Sequence, residues 1–482
     1  MTIVTLLEEL VNGLIAAEEN FLQNPKDFYS LEKEVKASTE SFSAAFLGNL
    51  LSSVNRQIYK DAWRQGKYSV QRTDTRTVIS SVGDVSFEST YYRRKQDSSY
   101  HYLTEEFIGL EAHERFTEEA EVVLLTEALK TSYAEAARVL PSKQEITKTT
   151  VMNKVHGIAE EIPLLQRDTP KKECQYLFVE ADEDHVAEQH GRWSPKAENN
   201  GFISKIAYVY EYKRESPECK ARKELVETFY FAGVYEGSKK NEQFWTKVAD
   251  YIEANYDTEV LQQIYLIGDG GSWIKGGEKL LDKAKFCMDK YHMMKYINKA
   301  AGQVLDESDI AKAEIYRCIY KKEKKKLLKY LERMLGAANN EEPVKDLYTL
   351  IKGNWPAVMR TYHDKVITGC SAEGHVSHVL SDRISSRPMG WSETGADRMS
   401  KLRCYERNYG REKIINLVKY SREQRKLART GSDDREECPV SMRSIMTEHY
   451  DQSRSYIERM QATIPYGTVR KTAAIREQIR LI

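Results

Sequence analysis

The stretch from Gln263 to Lys275 limits the possible folds of this chain more than any other. Four apolar residues, 264–267, run without interruption into Gly268 and Asp269. A short apolar run bounded by turn residues predicts a strand that is buried on both faces of a sheet. The glycines around Asp269 predict a sharp turn, and Trp273 begins a helical pattern. Because open α/β sheets place their chemistry at strand ends, Asp269 is a candidate functional residue.

Composition limits the class of protein and its compartment. The chain has 482 residues with 73 basic and 73 acidic side chains, and this length allows several domains. No apolar run approaches the roughly 18 residues that a membrane span needs, and the acidic, amphipathic start differs from a signal peptide. Seven cysteines without a Cys-x-x-Cys pair suit reduced thiols rather than a zinc ribbon or a disulfide framework. We expect a soluble cytoplasmic protein without a membrane partner.

Strand and helix patterns alternate in a defined order in the middle of the chain. Strand patterns lie at 176–182, 202–212, 224–235, 264–267 and 284–289, and helical patterns follow the third and the fourth. The order β-β-β-α-β-α-β predicts an α/β mixed sheet with helices on both faces, which is the order of the ribonuclease H-like fold. A charged helical insertion at 301–364 interrupts this region. We therefore expect a catalytic domain made of residues 170–300 and 365–400.

The two ends of the chain are predicted to be mainly helical. Residues 1–115 show helical periodicity, with a β-hairpin pattern near 77–95. Residues 401–482 carry 18 Lys and Arg against 11 Asp and Glu, with a polar loop near 430–437. This basic surplus favours a polyanionic partner, and a solvated helical face is the alternative.

Residues 116–165 contain three short helical segments. A capping box at Ser132 begins the second segment, which we expect to run over 133–140. The third segment carries Lys148 and Lys154. Two helices joined by a short turn, the later one bearing Lys and Thr, have the outline of a helix-turn-helix, so we expect both lysines at a DNA interface. An ordinary three-helix packing unit is the alternative.

Three carboxylates fall at related positions of the predicted fold. Asp182 ends the first strand, Asp269 ends the fourth, and Glu373 opens a helix after the insertion. The first and fourth strands are neighbours in a sheet of this order, so the two aspartates should lie side by side. Clustered carboxylates repel one another unless cations lie between them, and Mg²⁺ or Mn²⁺ prefers such oxygen ligands. Two such ions support phosphoryl transfer on a nucleic acid, although a single acid at a strand end is commonly a turn former.

Four segments resemble those of a known family. They are Asp269-Gly-Gly-Ser-Trp-Ile, Asp289-Lys-Tyr-His, Ser371-Ala-Glu-Gly-His-Val-Ser-His and Arg383-Ile-Ser-Ser-Arg-Pro-Met-Gly-Trp. Together they resemble the DDE transposases of bacterial insertion sequences, and in particular the ISLre-type group, which is also catalogued as an uncharacterised protein family. The resemblance implies a ribonuclease H-like fold with a helical insertion before the last Glu. It also implies metal-dependent cutting and joining of DNA at the ends of the element.

The resemblance also implies roles for individual residues. Asp182, Asp269 and Glu373 are the implied catalytic triad, which holds two Mg²⁺ or Mn²⁺ ions. The implied partner is double-stranded DNA, at the element ends and at the target, bound by a homodimer or larger assembly in the nucleoid of a bacterial cytoplasm. His292 is expected beside the active site, where it contacts DNA or orients the scissile phosphate. A structural His at a strand-to-helix junction is the alternative.

A loop after the candidate Glu373 helix combines basic and aromatic residues. Arg383 and Arg387 beside Trp391 suit phosphate contact and base stacking. An arginine loop packed by the tryptophan is the alternative. His375 and His378 are spaced like metal ligands, but no third soft ligand lies nearby in the sequence, which argues against zinc.

Two site assignments and the function itself have alternatives. Asp184 lies on the same side of its strand as Asp182 and could replace it, and Glu393 could replace Glu373. A domesticated or inactive relative would keep DNA binding without catalysis. Another ribonuclease H-like nuclease, such as a resolvase, would keep the metal chemistry without transposition.

Overall fold

A computed structural model gives the fold of this chain. It describes residues 3–111, 113–165, 169–189, 201–218, 223–304, 307–387 and 389–430, with separate positions between 439 and 458. The predicted loop near 430–437, except its first residue, lies outside the described residues, as do Cys219, Cys438 and residues 461–482. The chain forms two compact units, residues 1–154 with 418–482 and residues 155–417. No helix among the described residues has the length and apolar character to cross a membrane.

The first unit begins with helices and a small antiparallel sheet. Its elements are α1 (Ile3–Gln23), α2 (Phe28–Lys60), α3 (Ala62–Lys67), β1 (Tyr68–Ser80), β2 (Gly83–Arg94) and β3 (Tyr100–His101). The strands follow the order β1-β2-β3. The hairpin expected near 77–95 is therefore present and starts earlier, at Tyr68. Pairing continues along the polar residues of β1 because β2 supplies a partner up to Tyr68↔Arg94.

Four short helices follow the sheet. They are α4 (Leu103–Phe107), α5 (Glu118–Ala128), α6 (Tyr133–Ala136) and α7 (Lys148–His156). The Ser132 hydroxyl accepts a hydrogen bond from the Glu135 N–H, so the expected cap is in place. The helix is a single turn and does not reach residue 140. The N–H groups of Arg138 and Val139 bond to carbonyls three residues back, which tightens the chain into turns.

The second unit is built on a mixed five-stranded sheet. Its strands are β4 (Tyr176–Ala187), β5 (Gly201–Tyr210), β8 (Phe229–Gly233), β9 (Gln263–Gly268) and β10 (Ala284–Met288). They follow the order β10-β9-β4-β5-β8. The β9 strand runs parallel to β4 and β10, whereas β5 runs antiparallel to β4 and β8. The first and fourth predicted strands, β4 and β9, are thus adjacent in the sheet, as expected from the sequence.

The second and third predicted strands are each divided in the structure. The tail of the second becomes β6 (Tyr212–Glu215) and the start of the third becomes β7 (Lys223–Val226). These two strands form a separate two-stranded sheet. Glu227 at the end of β7 has a positive φ of 56°, which turns the chain back toward the main sheet.

Further helices follow in chain order, and residues 418–430 of the last of them belong to the first unit. They are α8 (Gly237–Asn255), α9 (Ser272–Leu280), α10 (Lys290–Ala301), α11 (Ser308–Tyr320), α12 (Lys324–Leu335), α13 (Glu342–His363), α14 (Ala372–Val376), α15 (Asp382–Ile384), α16 (Glu393–Tyr409) and α17 (Ile414–Thr430). A π-helical turn, Ser377–Ser381, joins α14 to α15. The helices α11 to α13 occupy the segment predicted as an insertion.

The side chains of β4 alternate between two different environments. Leu177, Val179 and Ala181 belong to the large apolar core that includes residues of α8 and α9. Phe178 belongs to a separate, tyrosine-rich core on the other face. Successive side chains of a strand point to opposite faces. Every even-numbered residue of β4, including three carboxylates, therefore lies on the tyrosine-rich face.

Candidate functional site

The pairing of β4 determines where Asp182 lies. The parallel pairing with β9 runs from Tyr176↔Gln263 to Glu180↔Ile267. The antiparallel pairing with β5 continues from there through Asp182↔Ile206 to Ala187. Asp182 therefore does not end its strand, contrary to the expectation from the sequence. It lies two residues beyond the last β4 residue that pairs with β9, so among the described strands its backbone pairs with β5 on one side only.

Glycines bring Asp269 close to this position. A Cβ on Gly268 would lie 3.0 Å from the Ala181 carbonyl oxygen, so the close approach of β9 to β4 depends on glycine. Gly270 has a φ of +97°, which L side chains rarely adopt. The Asp269 carboxylate accepts a hydrogen bond from the Gly271 N–H at 2.8 Å, which fixes the turn. The turn thus presents Asp269 at the end of β9, next to Asp182 on β4.

A third acid lies at the end of the next strand. The Asp289 N–H donates to the Gly268 carbonyl at 2.9 Å, immediately after β10. The Asp289 carboxylate caps α10 by accepting from the Tyr291 N–H at 3.1 Å. It also accepts from Nδ1 of His292 at 2.8 Å. His292 therefore has the partner expected of a structural histidine, while its ring lies beside the other two carboxylates.

The electrostatics of these groups are coupled. Burial, with a smaller contribution from the carboxylates of Asp269 and Asp289, raises the pKa of Asp182 to about 6, while the Glu183 N–H and the charge of His292 act in the opposite direction. The hydrogen bond that His292 donates to Asp289 raises the pKa of His292, and the carboxylates of Asp182 and Asp269 add to the effect. Burial alone would raise the pKa of Asp289, but His292 and backbone N–H groups lower it. These strand ends therefore form a negative, partly buried region that a cation would stabilise.

Glu373 lies near this region on a different element. It is the second residue of α14 and is exposed. The Tyr291 hydroxyl donates to its carboxylate at 3.4 Å, which connects α14 to the beginning of α10. Among the residues that the structure describes, no three His, Cys, Asp or Glu side chains are close enough to hold one metal ion together. The structure thus brings Asp182 and Asp269 together, and a hydrogen bond from Tyr291 connects Glu373 to the start of α10.

The two alternative acids have other partners. Asp184 is nearly buried, and both oxygens of its carboxylate accept from the Ser385 hydroxyl, at 2.9 and 2.8 Å. Glu393 is the first residue of α16 and lies 4.0 Å from the Lys240 ammonium. Glu373, by contrast, accepts from Tyr291, which is next to the pair Asp289 and His292 along α10. The buried carboxylate of Asp184 is thus occupied by Ser385, and Glu393 has a lysine on α8 as its neighbour.

The expected arginine loop is packed into the protein. Arg383 is 2% exposed, and its guanidinium lies 4.8 Å from the centre of the Trp391 ring. The Trp391 indole N–H donates to the Ile384 carbonyl, and its backbone pairs with the end of β4 at Ala187. The burial of both side chains corresponds to the packing alternative, because neither offers an open surface to DNA. Arg387 is exposed, and Pro388 lies outside the described residues.

The two predicted DNA-binding lysines of α7 differ in their surroundings. Lys154 is 14% exposed and bonds to the carboxylates of Glu114 at 2.7 Å and Glu121 at 3.1 Å. Its charge is thus already neutralised inside the first unit. Lys148 is exposed at the first position of the helix. Of the two, Lys148 retains the accessibility that a phosphate contact needs.

The two histidines that follow Glu373, His375 and His378, also differ in their surroundings. His375 is packed against Tyr208 and its Nδ1 lies 2.8 Å from the Tyr230 hydroxyl. Burial lowers its pKa to about 4, so this imidazole is neutral near pH 7. His378 uses its backbone carbonyl to accept from the Arg403 guanidinium at 2.7 Å. Neither contact suggests a zinc site.

Sequence reasoning missed Glu180, the first of the carboxylates on the tyrosine-rich face of β4. This side chain is fully buried and bonds to Tyr210, Lys213 and Ser371. The available signal was a Glu with apolar residues on either side of it inside the predicted strand 176–182. Such a residue needs a buried partner, and the partner comes from a part of the chain far away in sequence.

Carboxylates gathered where the parallel strands of a mixed sheet end define an α/β protein with a candidate acidic site. The chain belongs to the family described as Uncharacterised protein family (UPF0236), which matches residues 21–420. A UPF0236 protein of Caldanaerobacter subterraneus subsp. tengcongensis is 32% identical over 428 residues, covering 85% of this chain and 87% of the relative. A UPF0236 protein of Streptococcus gallolyticus is 24% identical over 406 residues, covering 80% and 84%.

One solved structure with partial similarity to this chain is the Drosophila P element transposase strand transfer complex. The likeness covers 77% of this chain and 92% of that chain, with 11% sequence identity and a TM-score of 0.21. At this score the likeness does not establish a shared fold.

Proposed function

We propose that this chain is a DDE transposase of the ISLre type, which cleaves and transfers DNA strands at the ends of a bacterial insertion sequence. One observation carries the proposal: Asp182 and Asp269 lie side by side where the parallel pairing of β4 and β9 stops. Asp289 and His292 follow on the adjacent strand end. The strand order and the long helical insertion support a ribonuclease H-like catalytic domain made of residues 170–300 and 365–400.

The side chains present suit a divalent metal ion. Asp182 and Asp269 offer carboxylate oxygens, which Mg²⁺ and Mn²⁺ prefer as ligands. The raised pKa of Asp182 reflects burial and neighbouring negative charge, and both would be offset by a cation. We assign Glu373 as the third ligand from its position on α14. Two such ions, when bound, would activate the attacking water or hydroxyl and stabilise the leaving oxygen of a phosphodiester.

Neighbouring residues have supporting roles in this proposal. Asp289 holds the imidazole of His292 through Nδ1 and favours its protonated form. A protonated His292 beside the carboxylates would contact the phosphate of a bound DNA strand and orient it. Gly270, whose positive φ disfavours any side chain, follows Asp269 in the turn before α9, so a DNA backbone could approach Asp269 closely.

DNA binding is assigned to regions outside the sheet. The segment 116–165 retains short helices with Lys148 exposed on the last of them. Residues 401–482 have a basic surplus of 18 to 11. We propose that both regions contact double-stranded DNA at the element ends and that a homodimer or larger assembly joins two ends. The protein would then act at the nucleoid of a bacterial cytoplasm.

The names of the relatives support a mobile gene. One relative, 32% identical over 414 residues, has a name that joins eleven locus designations of a single strain. A gene that inserts new copies of itself would be present at many loci. This multiplicity favours a transposase over a nuclease that serves its host, such as a resolvase.

One observation favours a second candidate, a domesticated or inactive relative that binds DNA without cleaving it. Glu373 does not join the two aspartates in a three-ligand group among the described residues. The two candidates separate on a single measurement, because only the transposase cleaves DNA that carries its own element ends. Short duplications flanking inverted repeats around the gene would favour the enzyme as well.

The test uses the full chain, a DNA duplex with the element ends, and Mg²⁺. Asp182→Asn, Asp269→Asn and Glu373→Gln should each reduce strand cleavage by at least about 100-fold while DNA affinity stays within about twofold. Glu393→Gln tests the alternative third ligand, the exposed first residue of α16, and it should cleave normally if Glu373 is the third ligand. Strand cleavage at the wild-type rate in Asp182→Asn or Asp269→Asn would contradict the proposal. Loss in Glu393→Gln with activity in Glu373→Gln would move the third ligand to Glu393.

A further inference from the structure

A buried ion pair lies under the candidate site. Glu180, on β4, is 0% exposed, and its partner Lys213, on β6, is 7% exposed. The Lys213 ammonium donates to the Glu180 carboxylate at 2.9 Å. The hydroxyls of Tyr208 and Tyr210 donate to the same carboxylate, the latter at 2.6 Å. Glu180 therefore has three charged or hydroxyl donors from β5 and β6.

The same two side chains also hold a segment far away in sequence. The Ser371 N–H and hydroxyl donate to Glu180 at 2.7 and 3.0 Å. The Lys213 ammonium donates to the Gly369 carbonyl at 2.8 Å. Gly369 has a φ of +118°, so the chain bends sharply at this point. The segment 369–371 is thus bonded directly to the sheet, immediately before α14 begins.

The ionised form of Glu180 is stabilised by these contacts. Burial alone would raise its pKa, but Lys213, the two tyrosine hydroxyls and the Ser371 N–H lower it. Apolar residues of similar volume often stabilise a fold as well as a buried ion pair does. The surrounding core residues, such as Phe178, Tyr265 and Ile367, show that this face accepts apolar side chains. What the ion pair adds is a set of directed bonds to the segment 369–371.

The spacing connects this ion pair to the candidate site. Glu180 and Asp182 are two residues apart and point to the same face of β4. Ser371 and Glu373 are also two residues apart, and Glu373 lies in the first turn of α14. The bond between Glu180 and Ser371 therefore joins the two proposed ligand-bearing segments at one point.

We propose that Glu180 and Lys213 are positioning residues, which together form a clamp that fixes the start of α14 and so sets where Glu373 lies relative to Asp182. The proposal rests on the proposed function for its catalytic consequence. The clamp acts in this proposal through the position of Glu373, because its two side chains are buried. Its loss would displace Glu373 while leaving all three proposed ligands in the chain.

The first measurement is hydrogen exchange in the metal-free protein. Glu180→Gln should speed the exchange of amides in the peptide 369–376 by at least about tenfold, because the Ser371 N–H loses a charged acceptor. Ser371→Ala removes one donor and leaves the ion pair intact, so it serves if Glu180→Gln fails to fold. Glu211→Gln is the matched control, since Glu211 pairs with Lys172 in the same unit without touching this segment. It should leave that exchange unchanged.

The second measurement is the Mg²⁺ dependence of strand cleavage per folded molecule. Glu180→Gln or Ser371→Ala should raise the Mg²⁺ concentration for half-maximal cleavage by about tenfold, as expected when a ligand loses its support. Glu211→Gln should not raise it. A general loss of stability would lower the folded fraction in all variants without shifting this midpoint.

The outcomes separate the clamp from the proposed function. Unchanged exchange at 369–376 in Glu180→Gln overturns the clamp. Faster exchange with an unchanged Mg²⁺ midpoint overturns the positioning role. If the wild-type chain cleaves no DNA under any metal condition, the proposed function fails, and faster exchange in Glu180→Gln but not in Glu211→Gln still supports the clamp.

Discussion

The Asp289 carboxylate accepts a hydrogen bond from Nδ1 of His292 at 2.8 Å and from the Tyr291 N–H at 3.1 Å. One side chain therefore caps α10 and orients the imidazole that lies beside Asp182. The Asp289 N–H donates to the Gly268 carbonyl, so Asp289 and His292 are also connected to the turn that carries Asp269. The geometry of the acidic region is thus set by the Asp289 carboxylate together with one backbone contact between the ends of β9 and β10.

Replacement of Asp289 should separate its capping role from its charge. Asp289→Ala should lower the free energy of unfolding by about 1 kcal/mol, because the N-terminal N–H groups of α10 lose their acceptor. Asp289→Asn keeps an acceptor of the same size and should cost less than half as much. Urea unfolding followed by circular dichroism measures both. Equal losses in the two variants would show that the cap does not depend on the side-chain oxygen.

The two lysines of α7 should affect different properties. Lys154→Ala leaves the buried carboxylates of Glu114 and Glu121 without this cation and should destabilise the protein by about 3 kcal/mol. Lys148→Ala removes an exposed charge and should change stability by less than about 0.5 kcal/mol. DNA affinity, measured by fluorescence anisotropy at fixed salt, should fall in Lys148→Ala if α7 contacts phosphates. A loss of affinity without any loss of stability in Lys154→Ala would contradict the assignment.

The same ion cluster predicts a pH dependence. Burial alone would raise the pKa of Glu114 in the folded protein. The charges of Lys154 and Arg422 outweigh this effect and lower that pKa below its ordinary value of 4.5. A carboxyl with a lowered folded-state pKa stabilises the fold above its unfolded-state pKa, and this contribution is lost as the pH falls through the folded-state pKa. The stability difference between wild type and Lys154→Met should therefore shrink as the pH falls from about 5 to about 3. Chemical unfolding at several pH values tests this, and a constant difference would contradict it.

Two adjacent glycines of α9 should respond oppositely to alanine. A Cβ on Gly277 would lie 2.7 Å from the Trp245 ring, whereas a Cβ on Gly276 would meet nothing within 4 Å. Gly277→Ala should destabilise the protein by about 1–3 kcal/mol, because α8 and α9 must move apart. Gly276→Ala should stabilise it by about 0.5–1 kcal/mol through helix propensity. Thermal unfolding of both variants compares them directly, and equal shifts would show that contact with Trp245 has no role.

The parts of the fold that depend on local pattern could be predicted from the sequence. The apolar run 264–267 gave a buried strand because its boundaries are glycine and polar residues. The end of β4 could not be placed in this way. Residues 183–187 include Glu, Asp and His and resemble a loop, yet they remain in the strand because β5 pairs with them. Burial of Arg383 likewise depends on Trp391, whose backbone is hydrogen-bonded to β4 although the two are far apart in the sequence.

The candidate site could be predicted only in part for the same reason. Strand order alone suggested that Asp182 and Asp269 are neighbours, because parallel strands bring their ends to one edge of a sheet. The position of Glu373 depends on Glu180 and Ser371, which are 191 residues apart. No sequence pattern indicates a contact between residues that are so far apart in the chain. A lone Glu in an apolar strand indicates that a partner exists but not where it lies.

The late contacts of β4 have a consequence for biosynthesis. Ser371, Ser385 and Trp391 all bond to β4, and the bond from Ser371 to Glu180 spans 191 residues. At roughly 5–20 residues per second, a ribosome needs about 10–40 s to deliver Ser371 after Glu180 has been made. During this interval Tyr208, Tyr210 and Lys213, the last of them 33 residues after Glu180, can already bond to its carboxylate, but the acceptor positions that Ser371 takes must stay hydrated. A message truncated before codon 371 would therefore leave the Glu180 carboxylate without two of its donors, and such an incompletely bonded core is suited to rapid degradation.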